Sequence, residues 1–266
     1  DTLFALKLLL PQALEYPDAK ERFLREARAA ARLTSEHVTQ VTDVGTLKIG
    51  VPYMIMEHLE GRDLQAVLDE KHCLSCTETA LYVYQACQAV AEAHAQNIVH
   101  RDLKPANLFV THRADNKPCV KVLDFGISKN LDPANQVQGV VTKTGVFVGS
   151  PNYMSPEQMM DHKAVDKRSD IWALGIILYE CVTGQVPFTG SALTEIAVRV
   201  CQMPVVAPSL VRPGIPLEFD TIVLRCLEKD PNRRYATIQD LMEALLPFTT
   251  GSIPEMTDPP RTTRVK

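Results

Sequence analysis

Apolar residues cluster in three short runs near the start of the chain. Phe4 to Leu10 is broken only by Lys7 and closed by Pro11, Val38 to Val44 follows, and then Val51 to Met56. Runs of this length bounded by Pro, Gly or polar residues predict strands. Between the first two, Asp18 to Leu33 has helical spacing, with Asp18 placed to act as N-cap and Phe23, Ala27, Ala30 and Leu33 forming the inward stripe. Glu26 falls within that stripe, while Arg22, Arg25, Arg28 and Arg32 point elsewhere. A carboxylate on a core-facing stripe is costly unless a cation meets it, and Lys7, lodged in an apolar strand, is the natural partner.

Beyond the polar connection Glu57 to Gly61 the pattern turns helical. A helix capped by Thr77 is predicted to run to about Asn97, with Leu81, Tyr84, Cys87 and Val90 at helical spacing. Short strands follow near Leu108 to Thr111 and Val120 to Leu123. Asp132 to Met154 has neither period, and a loop of that length in a folded domain usually serves function. Ser169 is placed to cap an apolar helix, Ile171 to Cys181, whose all-round hydrophobicity implies burial on every side. Further helices are expected at about Leu193 to Cys201, Leu217 to Leu227 and Ile238 to Leu246. The residues from 250 to 266, rich in Pro and Thr, read as a disordered linker.

The chain has 266 residues, enough for one large domain or two small lobes. Its net charge of −4 and lack of a Lys/Arg block argue against nucleic acid as a partner. No apolar run is long enough to span a bilayer, and no leader pattern opens the chain. The seven cysteines are scattered through apolar segments, as expected of reduced thiols in a cytoplasmic protein. Cys73 and Cys76 lack a second nearby pair to complete a metal set, so they read as a loop before a helix.

The chemistry is concentrated in two segments. His100-Arg101-Asp102-Leu103-Lys104-Pro105-Ala106-Asn107 puts a carboxylate, a lysine and an asparagine on one short stretch, and Asp124-Phe125-Gly126 adds a second carboxylate. Phosphoryl transfer needs those types: a base to orient a hydroxyl, a cation for the moving phosphate and hard oxygen ligands for magnesium.

These segments resemble the signature of the eukaryotic-type serine/threonine protein kinases, in a bacterial style. The resemblance implies an α+β, two-lobed protein-kinase-like fold: a partial β-rich small lobe over 1–56, a hinge over 57–61 and a mainly helical large lobe over 62–249. It implies ATP and Mg2+ as cofactors and transfer of the γ-phosphate to serine or threonine of protein substrates. Phe4-Ala5-Leu6-Lys7 is similar to the strand carrying the phosphate-binding lysine, and Glu26 stands where its helix partner belongs. By the same likeness Asp102 is the catalytic base, Lys104 neutralises the γ-phosphate, and Asn107 and Asp124 bind metal. Lys104 also marks serine/threonine rather than tyrosine kinases. Met56 backs the adenine pocket, backbone groups of Glu57 and Leu59 meet the adenine edge, Ala5 and Phe109 sandwich the ring, and Asp63 meets the ribose. Glu157 is expected to pair with Arg234. Asp170 either braces the catalytic loop or is a simple helix-start carboxylate.

Thr142 and Thr144 resemble paired autophosphorylation sites, which would involve self-association. Arg22, Arg101 and Lys129 match the cluster that grips the added phosphate, and Ser150 would face the substrate hydroxyl. One family feature is missing. Only six residues precede Lys7, which leaves no room for the glycine-rich loop that covers the phosphates. The small lobe is then expected to keep three of the family's five strands, expose a sheet edge and bind ATP poorly. Either the coding sequence continues upstream of Asp1, or the chain is a loop-less scaffold. The intact Lys7, Asp102, Asn107 and Asp124 favour the first. Small-molecule phosphotransferases share the Asp and Asn logic but lack the segment ending in Ser155-Pro156-Glu157.

Overall fold

In the computed structural model residues 2–15, 18–125, 151–160 and 165–250 are described. Thr142, Thr144, Ser150, Lys129 and the segment 251–266 lie outside them.

The small lobe is a three-stranded antiparallel sheet, β1 (Phe4–Leu8), β2 (Val41–Thr46) and β3 (Pro52–Glu57), in the order β1-β3-β2. Helix α1 (Ala19–Ala30) packs against it. The expected stripe holds, since Phe23, Ala27, Ala30 and Leu33 are all buried. Phe23 and Ala27 close on Leu9 and Met54 in a core separate from that of the large lobe. The capping expectation for Asp18 is corrected. It occupies the N-cap position, but no side-chain bond caps the helix. Its backbone instead accepts from Arg22, and its αR backbone does not present the carboxylate as an extended cap residue would. Along β1 the register Ala5↔Met56 and Lys7↔Met54 leaves the other edge of the strand unpaired within the described sheet, with Phe4, Leu6 and Leu8 exposed.

Val38, expected within β2, makes instead a parallel bridge to Val122 of the large lobe. His37 and Thr39 flank it, with Val122 N–H on the His37 carbonyl at 2.8 Å and Thr39 N–H on the Val122 carbonyl at 3.2 Å.

The large lobe opens with β4 (Arg62–Asp63), α2 (Leu64–Lys71) and α3 (Cys76–Ala95). α3 starts earlier than its hydrophobic pattern suggested. Ser75 is the N-cap, its hydroxyl accepting from Glu78 N–H at 3.0 Å, so Thr77 lies in the first turn. Strands β5 (Leu108–His112) and β6 (Pro118–Val122) complete a second sheet with β4. Gly61 is required where the hinge meets it. Its φ is +140°, and a Cβ there would lie 2.2 Å from the Val110 carbonyl oxygen.

Then come α4 (Pro156–Met160), α5 (Arg168–Thr183), α6 (Leu193–Gln202), α7 (Pro208–Val211), α8 (Leu217–Cys226) and α9 (Ile238–Thr249). α5 is buried all round, as its sequence predicts: Trp172, Leu174, Ile176, Ile177 and Leu178 are sealed. Gly175 lets α5 approach α8 and its following residue, since a Cβ would stand 2.5 Å from Cys226 Cβ. Ser169 is not the cap of α5. It lies inside the first turn, and its hydroxyl donates to Glu157 Oε1 at 2.7 Å. All seven cysteines are free thiols. Among the described residues no helix is long and apolar enough to cross a membrane.

Candidate active site

The segment His100 to Asn107 runs between α3 and β5 with little regular structure, so its backbone groups need side-chain partners. Asp170, at the buried start of α5, supplies two. Its Oδ2 accepts from His100 N–H at 2.9 Å and its Oδ1 from Arg101 N–H at 2.8 Å. This is the bracing role rather than that of a helix-start carboxylate alone. Burial on its own would raise the Asp170 pKa. The His94 imidazole, 2.7 Å away, and the His100 N–H outweigh it and hold the carboxyl below the usual range.

Asp102 is buried beside these groups. Lys104 Nζ lies 2.9 Å from its Oδ2. Asn107 Nδ2 donates to the Asp102 carbonyl at 2.8 Å and approaches Oδ2 at 3.3 Å. The Asn107 carbonyl accepts from Leu123 N–H at 2.9 Å, which ties the loop to the strand end that delivers Asp124. His100 Nε2 meets the Leu123 carbonyl at 2.8 Å, and its ring packs on Phe125 with centroids 4.9 Å apart. Two residues here, Arg101 (φ 65°) and Asp124 (φ 56°), have left-handed backbones that cost side-chain-bearing residues energy.

Across the lobes, Lys7 Nζ lies 2.5 Å from Asp124 Oδ1, with both side chains about a quarter exposed. The expected Lys7–Glu26 pair is therefore corrected: the ion pair that Lys7 makes among the described residues is to Asp124. The left-handed turn at Asp124 brings its carboxylate to the cleft face of β1. Glu26 instead lines a separate cavity of about 300 Å³ between α1 and the loop, with Arg25, Arg101 and Phe125. Of the expected phosphate-gripping set, Arg101 lines that cavity, beside Arg25, which was not in the set. Arg22, three residues earlier on the same helix, directs Nε to the Asp18 carbonyl.

A second cavity, of about 320 Å³, lies between the sheets at the hinge. Ala5, Lys7, Met56, Glu57, Leu59, Phe109 and Asp124, all picked out in the sequence, line it together with Leu6, Thr39, His58 and Leu123. Asp63 is not among the lining residues. Its Oδ1 caps α2 by accepting from Ala66 N–H at 2.8 Å. The Glu57 carboxylate also turns to structural work, accepting from Gln40 N–H at 2.8 Å and from Lys121 Nζ at 2.7 Å, which stiffens the hinge.

Glu157 and Arg234 form the expected pair, at 2.7 and 2.8 Å, anchoring α4 beneath the loop. His94 escaped the sequence reading. A lone histidine on a buried apolar helix face, six residues before His100, was its only trace.

Asp102, met by Lys104 and Asn107, and the Lys7–Asp124 pair that joins the two lobes together define a site of the two-lobed class. The family model described as protein kinase domain matches residues 1–246, and the chain belongs to that family. It is 39% identical over 241 residues to serine/threonine-protein kinase Pkn1 of Myxococcus xanthus, covering 91% of this chain and 34% of the relative. It is 34% identical over 266 residues to serine/threonine-protein kinase PknB of Mycobacterium tuberculosis, covering 97% of this chain and 41% of the relative. The chain thus spans well under half the length of either. Among solved structures, a double mutant of the Mycobacterium tuberculosis PknI kinase domain superposes with a TM-score of 0.70 at 23% identity, covering 92% of this chain and 85% of that one, which shows the shared fold.

Proposed function

We propose that this chain transfers the γ-phosphoryl group of ATP to serine and threonine hydroxyls of protein substrates. The observation that carries the reading is the convergence of Lys104 Nζ and Asn107 Nδ2 on Asp102. The Asp102 carboxylate orients the incoming hydroxyl and receives its proton. Lys104, held on that carboxylate, offsets charge on the transferring phosphoryl group. Lys7 reaches the cleft from the small lobe and supplies the cation for the non-transferred phosphates. The apolar lining from Ala5, Met56 and Phe109 suits a purine ring.

Magnesium fits the donor set. Asn107 commits its Nδ2 to Asp102, so Oδ1 is the atom able to ligate, and Asp124 adds a hard carboxylate oxygen. When bound, the ion would neutralise phosphate charge and hold it in line for transfer. A chain labelled from γ-phosphate-labelled ATP, with a model protein as acceptor, tests the reading. Asp102→Asn should abolish transfer, and labelling that survives the substitution would show that Asp102 is not the base.

The reading includes a switch. Phosphate on Thr142 or Thr144, placed by one copy on another, would be gripped by Arg101 with Arg22 and Lys129, ordering the platform around Ser150 for a protein substrate. Joint replacement of Thr142 and Thr144 by alanine should lower turnover several-fold, and unchanged turnover removes the switch.

A further inference from the structure

Arg101 precedes the base and has a left-handed backbone (φ 65°) that a non-glycine residue keeps only when its surroundings hold it there. Its N–H is held by Asp170. Its carbonyl is held from the opposite side by a residue outside the loop, since Gln158 Nε2 of α4 donates to it at 3.0 Å. Gln158 is buried, and its amide orientation is fixed by its other end. Oε1 accepts from Ser155 N–H at 3.0 Å and from the Ser155 hydroxyl at 3.3 Å, so Nε2 must face the loop.

The neighbouring Glu157 carries the Arg234 pair and accepts from Ser169, whose own neighbour is Asp170. Of two consecutive residues of α4, Glu157 thus engages the large-lobe frame at Ser169 and Arg234, and Gln158 engages the loop at Arg101. Glu157 fixes α4 in place, and Gln158 passes that position to the backbone one residue before Asp102.

We propose that Gln158 is a positioning residue for phosphoryl transfer. It clamps the Arg101 carbonyl so that the strained backbone presents Asp102, and it thereby makes the setting of the base depend on the segment that ends in Ser155-Pro156-Glu157. The proposal rests on the phosphotransfer reading above for its kinetic effect, but not for its effect on the backbone.

Three forms of the whole chain test it: parent, Gln158→Leu and Gln158→Glu. Glutamate keeps the shape and the acceptor, loses the donated bond and, when ionised, sets a carboxylate oxygen against the Arg101 carbonyl. Both variants should lower kcat roughly ten- to a hundredfold, the range for losing one partly buried hydrogen bond that sets the backbone, with KM for ATP changed less than about twofold. A protonated glutamic acid can donate again. The rate of Gln158→Glu relative to parent should therefore recover as pH falls, while that of Gln158→Leu stays flat. A residue that merely supports folding would give no such difference.

Amide hydrogen exchange supplies a readout independent of activity. Protection of the peptide covering Arg101 to Leu103 should fall about tenfold in both variants, with that of Ile171 to Val182 unchanged. Unchanged exchange at Arg101 to Leu103 overturns the clamp whatever the activity. An inactive parent whose loop exchange still responds overturns the phosphotransfer reading and keeps the clamp. An active parent matched within twofold by Gln158→Glu in kcat overturns the catalytic consequence.

Discussion

Replacing Arg234 by methionine removes the ion pair that anchors α4 together with the guanidinium's bonds to backbone. The Arg234 side chain is 0% exposed and that of Glu157 7%. Its guanidinium makes both bonds to the carboxylate and three to backbone carbonyls, of Glu228 at 2.8 Å, Arg168 at 3.0 Å and Lys229 at 3.3 Å. Methionine fills much of the volume but leaves the Glu157 carboxylate with the Ser169 hydroxyl as its remaining named side-chain partner. Breaking one partner of a buried pair costs about 3–5 kcal/mol, far more than the pair is worth against an apolar replacement. Against a typical stability of about 5–15 kcal/mol, that loss should move a urea unfolding midpoint by more than about 1 M. Trp172, the single tryptophan in the chain, is fully buried with its ring 5.1 Å from Arg234 Cζ, so its fluorescence reports this region. Arg234→Met combined with Glu157→Leu should recover part of the loss, because no charge is then stranded although the three carbonyls still lack their donor. A cost under about 1 kcal/mol for the single variant, or no recovery in the double, would refute the account.

The pair also sets an acid-side dependence. Burial alone would raise the Glu157 pKa, but the Arg234 guanidinium and the Ser169 hydroxyl outweigh it and hold the carboxyl below its ordinary 4.5. A lowered folded value means the contribution is fully present above about pH 4.5 and is lost as pH falls through the folded value. Arg234→Met should abolish or reverse that part of the stability profile, because burial, which raises the Glu157 pKa, then dominates.

Two further outcomes follow from other sites. Lys229 has its ammonium sealed against Phe188 (4.0 Å) and Trp172 (4.9 Å), with no hydrogen-bond partner among the described residues, and burial pushes its pKa down to about 8. Because the folded state then binds fewer protons than the unfolded one, its contribution should make stability rise from about pH 8 towards 10.5, with Lys229→Met removing that rise. The parent-minus-variant difference in unfolding midpoint separates it from the buried cysteines and tyrosines, which titrate the other way. Gly61→Ala should destabilise by several kcal/mol, through both the strained φ of +140° and the 2.2 Å clash with the Val110 carbonyl, as read by thermal unfolding. A shift of less than 2 °C would argue that the hinge backbone relaxes.

What the sequence disclosed, and what it hid, divides along physical lines. The stripe Phe23, Ala27, Ala30, Leu33 and the sealed α5 were legible because burial writes a period into the chain. The loop chemistry was legible because Asp102, Lys104 and Asn107 are neighbours in sequence, so their convergence needs only local backbone geometry. The partner of Lys7 was not. Both Glu26 and Asp124 are carboxylates of suitable type, and the choice depends on how two lobes meet and on a left-handed turn at Asp124. Capping failed for a related reason. Ser75 and Thr77 are both competent caps two residues apart, and Ser169 spends its hydroxyl on Glu157, a partner 12 residues away. Gln158 and His94 were invisible because a lone polar residue on a buried face has no pattern until its partner is known.

The two halves of the site are built to different tolerances. Around the base, the bonding groups come from buried side chains: Asp170 holds His100 and Arg101, Gln158 holds Arg101, and Asn107 holds Asp102. Displacing any of them strands a polar group away from water, at about 1–3 kcal/mol each, so Asp102 has a single favourable setting. Lys7 stands on the opposite footing. It projects from a strand with an unpaired described edge and exposed Phe4, Leu6 and Leu8, and its pair with Asp124 is partly solvated. Such pairs are worth about 0–1 kcal/mol, so a polyphosphate offering stronger anionic oxygens can displace Asp124 from Lys7 at little cost. On the proposed reading, the large lobe fixes where the proton goes. The small lobe contributes a cation whose partner can change when substrate arrives, and the Lys7–Asp124 contact is the element that substrate binding would exchange first.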